Sequence, residues 1–110
     1  MKEIDELTTP QQAWGLVRDY VGNAFTVIAA YSADSKVSTQ EDPETRKRIV
    51  DERIADLAAR LDLIAARLEY LSFERDAANV KVIYDMVVQE NLRDQTVRDE
   101  ILAESRKHDA

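Results

Sequence analysis

The chain has 110 residues, of which 45% are hydrophobic and 34% charged, and these values fit one globular domain rather than a disordered chain. It contains no Cys, which excludes a disulfide framework, a thiol nucleophile and a Cys-based zinc site. Its net charge of −7 opposes general nucleic-acid binding, because neutralising phosphates needs clustered Lys and Arg.

Helix breakers are rare throughout the chain. Only two Gly and two Pro occur, and no Gly or Pro follows Pro43. Ala, Leu, Glu, Asp and Arg are abundant instead, which favours helices over turns and strands. The composition therefore predicts an all-α fold, with residues 1–110 forming one helical domain.

The first predicted helix follows an N-terminal extension at 1–8. Thr9 is suited to the N-cap, Pro10 to the first helical position, and Gln12 to the capping box. From there an apolar helix extends to about Tyr31, and a helix so apolar is usually buried on more than one side. The charge-free stretch at 20–33 is too short to span a bilayer. The acidic N-terminus is unlike a signal peptide, so we expect a cytoplasmic protein that does not bind membranes.

The second predicted helix follows a polar connector at 32–42 and carries the strongest pattern in the chain. Asp42 is suited to the N-cap and Pro43 to the first position. Apolar residues then recur at heptad spacing up to Leu71, on the a, d and e positions that bundle helices bury. The pattern predicts a helix about 42 Å long. Its core series are Ile54, Leu61 and Leu68, and Val50, Leu57, Ile64 and Leu71.

The pattern weakens after Leu71. Ser72 could cap a new helix, or the long helix could bend and continue. The β-branched run Val80–Val88 is compatible with a strand, but no turn residue flanks it and a lone strand has no partner. We therefore predict a helix there. Residues 92–110 are expected to form a frayed terminal helix or tail, interrupted around 91–94.

Residues that could support catalysis are few. The single His, His108, lies near the end of the sequence and is expected to be solvated. Glu3–Glu6 and Glu41–Glu44 resemble half of a carboxylate metal motif, but no Glu is followed three positions later by Asp. We predict no catalytic residue, no metal site, no cofactor and no enzymatic activity. A metal-dependent hydrolase is the least favoured alternative, since it needs four carboxylates converging in one pocket.

Two further stripes repeat every seven residues. Arg46, Arg53, Arg60 and Arg67 line one flank of the second helix. Their stems could cover the core while their guanidinium groups remain solvated, or the row could dock acidic side chains of another helix or subunit. Arg67 has no acidic residue three or four positions away, so it is predicted to pair with a carboxylate outside its helix. Gly15, Gly22 and Ala29 form the other stripe, which indicates either close approach of another backbone or chance.

These features predict an elongated bundle of two or three main helices that associates as a homodimer with coiled-coil-like packing. A monomeric three-helix bundle is the alternative architecture. The favoured function is non-catalytic protein–protein interaction or assembly as a homo-oligomer. The alternative is a small acidic inhibitor that occludes a basic site on a target protein, using an acidic face. The expected interface residues are Trp14, Gly15, Gly22, Leu61, Arg67 and Leu68. The expected acidic face comprises Asp76, Asp85, Glu90, Asp94, Asp99 and Glu100.

Overall fold

The computed structural model describes residues 2–32 and 42–108. Within these ranges the chain is helical and contains no strand, so the predicted all-α class is confirmed. The expected number of two or three main helices is wrong, because the described residues form five. They are α1 (Lys2–Asp5), α2 (Pro10–Ala30), α3 (Pro43–Tyr70), α4 (Glu74–Gln89) and α5 (Gln95–Arg106). The run Val80–Val88 lies inside α4, as predicted.

Side-chain caps set the beginnings of α2 and α3. Thr9 Oγ1 accepts a hydrogen bond from the Gln12 backbone N–H at 3.2 Å, with Pro10 at the first helical position. Asp42 Oδ1 accepts from the Thr45 N–H at 2.7 Å, and this bonding to the Thr45 backbone lowers the pKa of the Asp42 carboxyl. Both predicted N-caps are confirmed. They could be predicted from the sequence because each capping bond reaches a residue only three positions along the chain. The connector at 33–41 lies outside the described residues.

The α3–α4 junction is a tight helix stop. Ser72 adopts a left-handed backbone, with φ of 68°. The Phe73 N–H donates to Leu68 O at 2.8 Å and the Ser72 N–H donates to Glu69 O at 3.0 Å. These two bonds form a Schellman motif, which usually places Gly at the left-handed position. The long helix therefore ends at Tyr70, and Phe73, not Ser72, is the N-cap residue of α4.

The core lies between α2, α3, α4 and α5. Helix α3 packs against both α2 and α4, and α5 closes the bundle against α2 and α4. The large, fully buried side chains of the core include Val17, Val21, Ile28, Val50, Leu57, Leu61, Ile64, Leu68, Ile83 and Ile101. The bundle measures 46 × 26 × 20 Å, and its longest dimension matches the roughly 42 Å expected for a 28-residue helix.

The described segments at 2–8 and 92–108 pack more closely against the bundle than the sequence predicts. The expected N-terminal extension instead contains α1, whose segment buries Ile4 and Leu7. The predicted interruption at 91–94 and the predicted terminal helix after it are confirmed, but this helix, α5, is packed against the bundle rather than frayed, because Ile101 is fully buried. In both segments, apolar side chains at helical spacing are buried against the rest of the bundle. None of the described helices is long and apolar enough to cross a membrane.

Candidate interaction surfaces

Three of the expected interface residues are buried by their own chain. Trp14 is 2% exposed, and Leu61 and Leu68 are fully buried. The predicted homodimer would cover these residues with a second chain. In the structure α1, α4 and α5 supply that cover within one chain. A second copy that packs on the outside of this bundle does not reach these three side chains.

The glycines of α2 are not sites of close backbone approach within the chain. A Cβ atom built on Gly15 would lie 4.0 Å from Arg18 Nη2 as its nearest neighbour, and one built on Gly22 would meet nothing within 4 Å. Neither glycine has a positive φ. The fold of a single chain therefore gives no reason for Gly at either position.

Gly22→Ala is expected to stabilise the protein. Alanine fits the open space and removes backbone entropy from the unfolded chain, so the gain should be about 0.5–1 kcal/mol. The reverse change at the exposed third member of the stripe, Ala29→Gly, should cost a similar amount. Urea unfolding followed by circular dichroism measures both. A loss of stability in Gly22→Ala would show that something packs against this position in solution.

The Arg row joins α3 to the layer formed by α1 and α2. Arg46 Nη2 donates to Ser32 O at 2.9 Å, and Arg67 Nε donates to Leu7 O at 3.0 Å. Both acceptors lie just beyond a helix end, where carbonyl groups lack intrahelical partners. Arg67 thus pairs outside its own helix as predicted. Its expected carboxylate partner is wrong: the described residues offer it a backbone carbonyl and the Tyr70 ring, whose centre lies 5.2 Å from Arg67 Cζ.

Arg60 makes the middle contact of this row. Its Cζ lies 4.7 Å from the centre of the Tyr20 ring, while its Nε forms an ion pair with Asp56 Oδ2 at 3.1 Å without hydrogen-bond geometry. The Tyr20 hydroxyl donates to Glu3 Oε2 at 2.7 Å. Burial, and then the Glu3 carboxylate, raise the pKa of Tyr20. These contacts stabilise the packing of α1, α2 and α3 and give the Arg row a role inside one chain.

A polar and aromatic cluster joins three residues that lie far apart in the chain, Trp14, Asp76 and His108. Trp14 Nε1 donates to Asp76 Oδ1 at 3.0 Å. The His108 ring stacks on Trp14, with ring centres 4.6 Å apart and planes 20° apart, and His108 Nε2 lies 3.8 Å from Glu104 Oε1. The expectation that His108 is solvated is therefore wrong, because the close of α5 brings it onto the indole. No spacing in the sequence signals this contact between residues so far apart.

The carboxylates of the described residues do not form a metal centre. No group of three or more His, Asp or Glu is placed to hold an ion in this part of the chain. Two members of the expected acidic face have structural partners: Asp76 accepts from Trp14, and Asp94 Oδ1 accepts from the Thr96 N–H at the start of α5. The other four, Asp85, Glu90, Asp99 and Glu100, are exposed.

The sequence reasoning missed an exposed apolar stripe on α3, opposite the buried stripe. We call it the α3 outer face, and it comprises Ala55, Ala59, Leu63, Ala66 and Tyr70. All five residues are exposed, with Leu63 at 44% and Tyr70 at 78%. Their spacing of four, four, three and four residues keeps them on one side of the helix. The signal lay in the sequence as a second apolar repeat, weakened by its three alanines.

Opposite charges border the α3 outer face. Asp62 and Glu69 lie on the flank next to α4, where Lys81 Nζ forms a 3.2 Å ion pair with Asp62 Oδ1. This contact raises the pKa of Lys81. Arg60 and Arg67 lie on the other flank, next to α2 and α1. Between Ala59 and Tyr70 the face is therefore apolar along its centre, acidic on one side and basic on the other.

Comparison with known proteins finds no relative. No protein-family model matches the chain, and neither a curated protein nor a solved structure matches it. The surfaces of the chain itself are therefore the basis for inferring what it does.

Proposed function

We propose that this protein acts without catalysis, through helix-to-helix contact between protein molecules, and that it does so as a homo-oligomer in the cytoplasm. The α3 outer face is the observation that supports this proposal. Singly scattered apolar residues are normal on protein surfaces, whereas an aligned apolar stripe marks a contact site. Here Leu63 and Tyr70 stay exposed in a bundle whose core is already filled.

The composition of this face suits helix packing in particular. Its alanines allow a second helix to approach closely, and its leucine and tyrosine offer larger side chains for burial. Aromatic residues such as Tyr70 are enriched at protein interfaces, and its ring lies beside the Arg67 guanidinium. Coiled-coil-like packing between molecules is therefore part of the proposal.

Absolute mass in solution tests the proposal. Light scattering after size-exclusion chromatography should give a mass that rises with protein concentration towards twice the 12.6 kDa of one chain. Measurements at physiological ionic strength limit the repulsion between chains that each carry −7. A mass of one chain at every concentration would refute the homo-oligomer.

A second candidate is the acidic inhibitor of a basic target. An open groove between α1 and α2 supports it, because the residues that line it include three acidic ones, Glu3, Glu6 and Asp19. Together with the net charge of −7, this groove suits a Lys- or Arg-bearing segment. A monomeric mass combined with salt-sensitive binding of a Lys-rich helical peptide would favour this candidate over self-assembly.

A further inference from the structure

We propose that the α3 outer face is the homodimer interface and that the two copies of α3 pack in parallel around a two-fold axis. This inference rests on the proposed function, and it adds the surface, the partner and the orientation. The partner is a second copy of this chain. The observations that carry it are the register of the exposed apolar residues and the charges on either side of them.

The register is that of a coiled-coil seam. Leu63 and Tyr70 occupy a positions, and Ala59 and Ala66 occupy d positions, with alternating steps of four, three and four residues. This seam lies opposite Leu61 and Leu68, which are fully buried in the core. Helix α3 therefore has two apolar faces, and one chain covers only one of them.

The charged flanks select the orientation. In this register Asp62 and Glu69 occupy g positions and Arg60 and Arg67 occupy e positions. A parallel pair places g opposite e, so Asp62 faces the second copy's Arg67, five residues further along, and the contact occurs twice by symmetry. An antiparallel pair would place g opposite g and e opposite e, which brings like charges together. The charges therefore favour the parallel arrangement.

The two charged groups have bonding capacity left for this contact. The Asp62 side chain is 56% exposed, and its contact with Lys81 leaves the carboxylate open to a second donor. Arg67 uses Nε for Leu7 O, which leaves its terminal amino groups to donate. The pairing across the dimer does not require either group to abandon its contact within the chain.

Self-complementarity is the reason for choosing a second copy as the partner. A two-fold interface uses the same patch twice, so the patch must complement itself. An apolar seam with one acidic and one basic flank meets this condition. From Ala59 to Tyr70 the seam runs about 16 Å along the helix. Such a face is small beside the roughly 800 Å² that a standard interface buries on each partner, so we expect a reversible dimer.

Cysteine cross-linking tests the orientation directly, because the chain has no native Cys. Ala59→Cys and Ala66→Cys each place one thiol on the exposed seam. In a parallel dimer each residue meets its own counterpart, so each variant alone should form a disulfide-linked dimer under mild oxidation. An antiparallel dimer about this seam places a positions opposite d positions, so neither variant should do so alone, while an equal mixture of Leu63→Cys and Ala66→Cys should. Ala103→Cys, exposed on α5, is the control for random collision.

A charge in the seam tests the surface. Leu63→Asp should raise the dimer dissociation constant about tenfold or more, because it places a carboxylate in an apolar contact. Val82→Asp is the matched control, since Val82 is 45% exposed on α4 and lies outside the seam. Circular dichroism confirms that each variant is folded.

The outcomes separate the two proposals. Cross-linking of each single variant and dissociation by Leu63→Asp alone support the parallel seam. A dimer that survives Leu63→Asp, or one that cross-links only in the mixture, overturns this inference and leaves the homo-oligomer intact. A wild-type chain that stays monomeric at every concentration overturns both.

Discussion

Leu61→Ala is expected to lower the free energy of unfolding by about 3 kcal/mol. Leu61 is fully buried at the centre of α3, where the helix packs against both α2 and α4. Truncation removes apolar contacts and leaves a cavity that neighbouring helices fill only in part. Urea unfolding followed by circular dichroism measures the change. A carboxylate at the same position, in Leu61→Asp, should prevent folding because the charge would lose its hydration among the apolar side chains of the core.

Leu63→Ala is the matched control for this prediction. It removes the same atoms two residues further along the same helix, but Leu63 is 44% exposed on the outer face. Its effect on monomer stability should be within about 0.5 kcal/mol. An equal loss of unfolding free energy in the two variants would show that the face of α3 that carries Leu61 is not buried in solution. The pair thus separates the face that holds the fold together from the face that we assign to the dimer.

Features that depend on neighbouring residues were predictable from the sequence. The beginnings of α2 and α3 follow from Thr9–Pro10 and Asp42–Pro43, whose capping bonds reach only three residues along the chain. The core side of α3 follows from its heptads, which place Leu57, Leu61 and Leu68 on one side. The helical state of Val80–Val88 follows from the absence of a partner strand.

Features that depend on residues far apart in the chain were not predictable. Apolar periodicity shows that a helix face is buried but not which element buries it. The sequence therefore predicts burial by a second copy where α1 and α5 of the same chain cover the core. Arg98 is a further case: it is 8% exposed, and its Nη1 donates to Leu92 O at 2.8 Å. A charged residue in an exposed-looking terminal segment gives no local sign that it will be buried beneath the turn before α5.

The Arg row shows how an interpretation can be right about pairing and wrong about the partner. Seven-residue spacing correctly places Arg46, Arg60 and Arg67 on one flank of α3. Spacing alone does not show that the acceptors are Ser32 O, the Tyr20 ring and Leu7 O. Carbonyl groups near helix ends lack intrahelical partners, so they accept hydrogen bonds from a long guanidinium side chain that reaches them. The candidate site was missed for a related reason, since alanines contribute little to an apolar pattern.

The second large effect is expected at Trp14. Trp14→Ala should cost about 3–5 kcal/mol, because the indole is 2% exposed and joins three helices. Its indole belongs to α2 and donates a hydrogen bond to Asp76 in the first turn of α4. The ring of His108, which follows α5, stacks on it. Trp14→Phe keeps most of the apolar surface and loses the N–H, so it should cost much less. Urea unfolding ranks the two variants.

His108→Ala isolates the stacked contact within this cluster. Aromatic pairs contribute about 0.5–1.5 kcal/mol beyond the area they bury, so the variant should lose that much stability and expose one face of the indole. Trp14 is the single tryptophan, so its fluorescence reports on the surroundings of this one indole, and its emission should shift to the red. Asp76→Asn is the matched control, since its amide oxygen can still accept from the indole N–H. Unchanged emission and stability in His108→Ala would mean that α5 does not hold the imidazole on Trp14 in solution, and the Trp14→Ala loss would then reflect the core contacts of α2 alone.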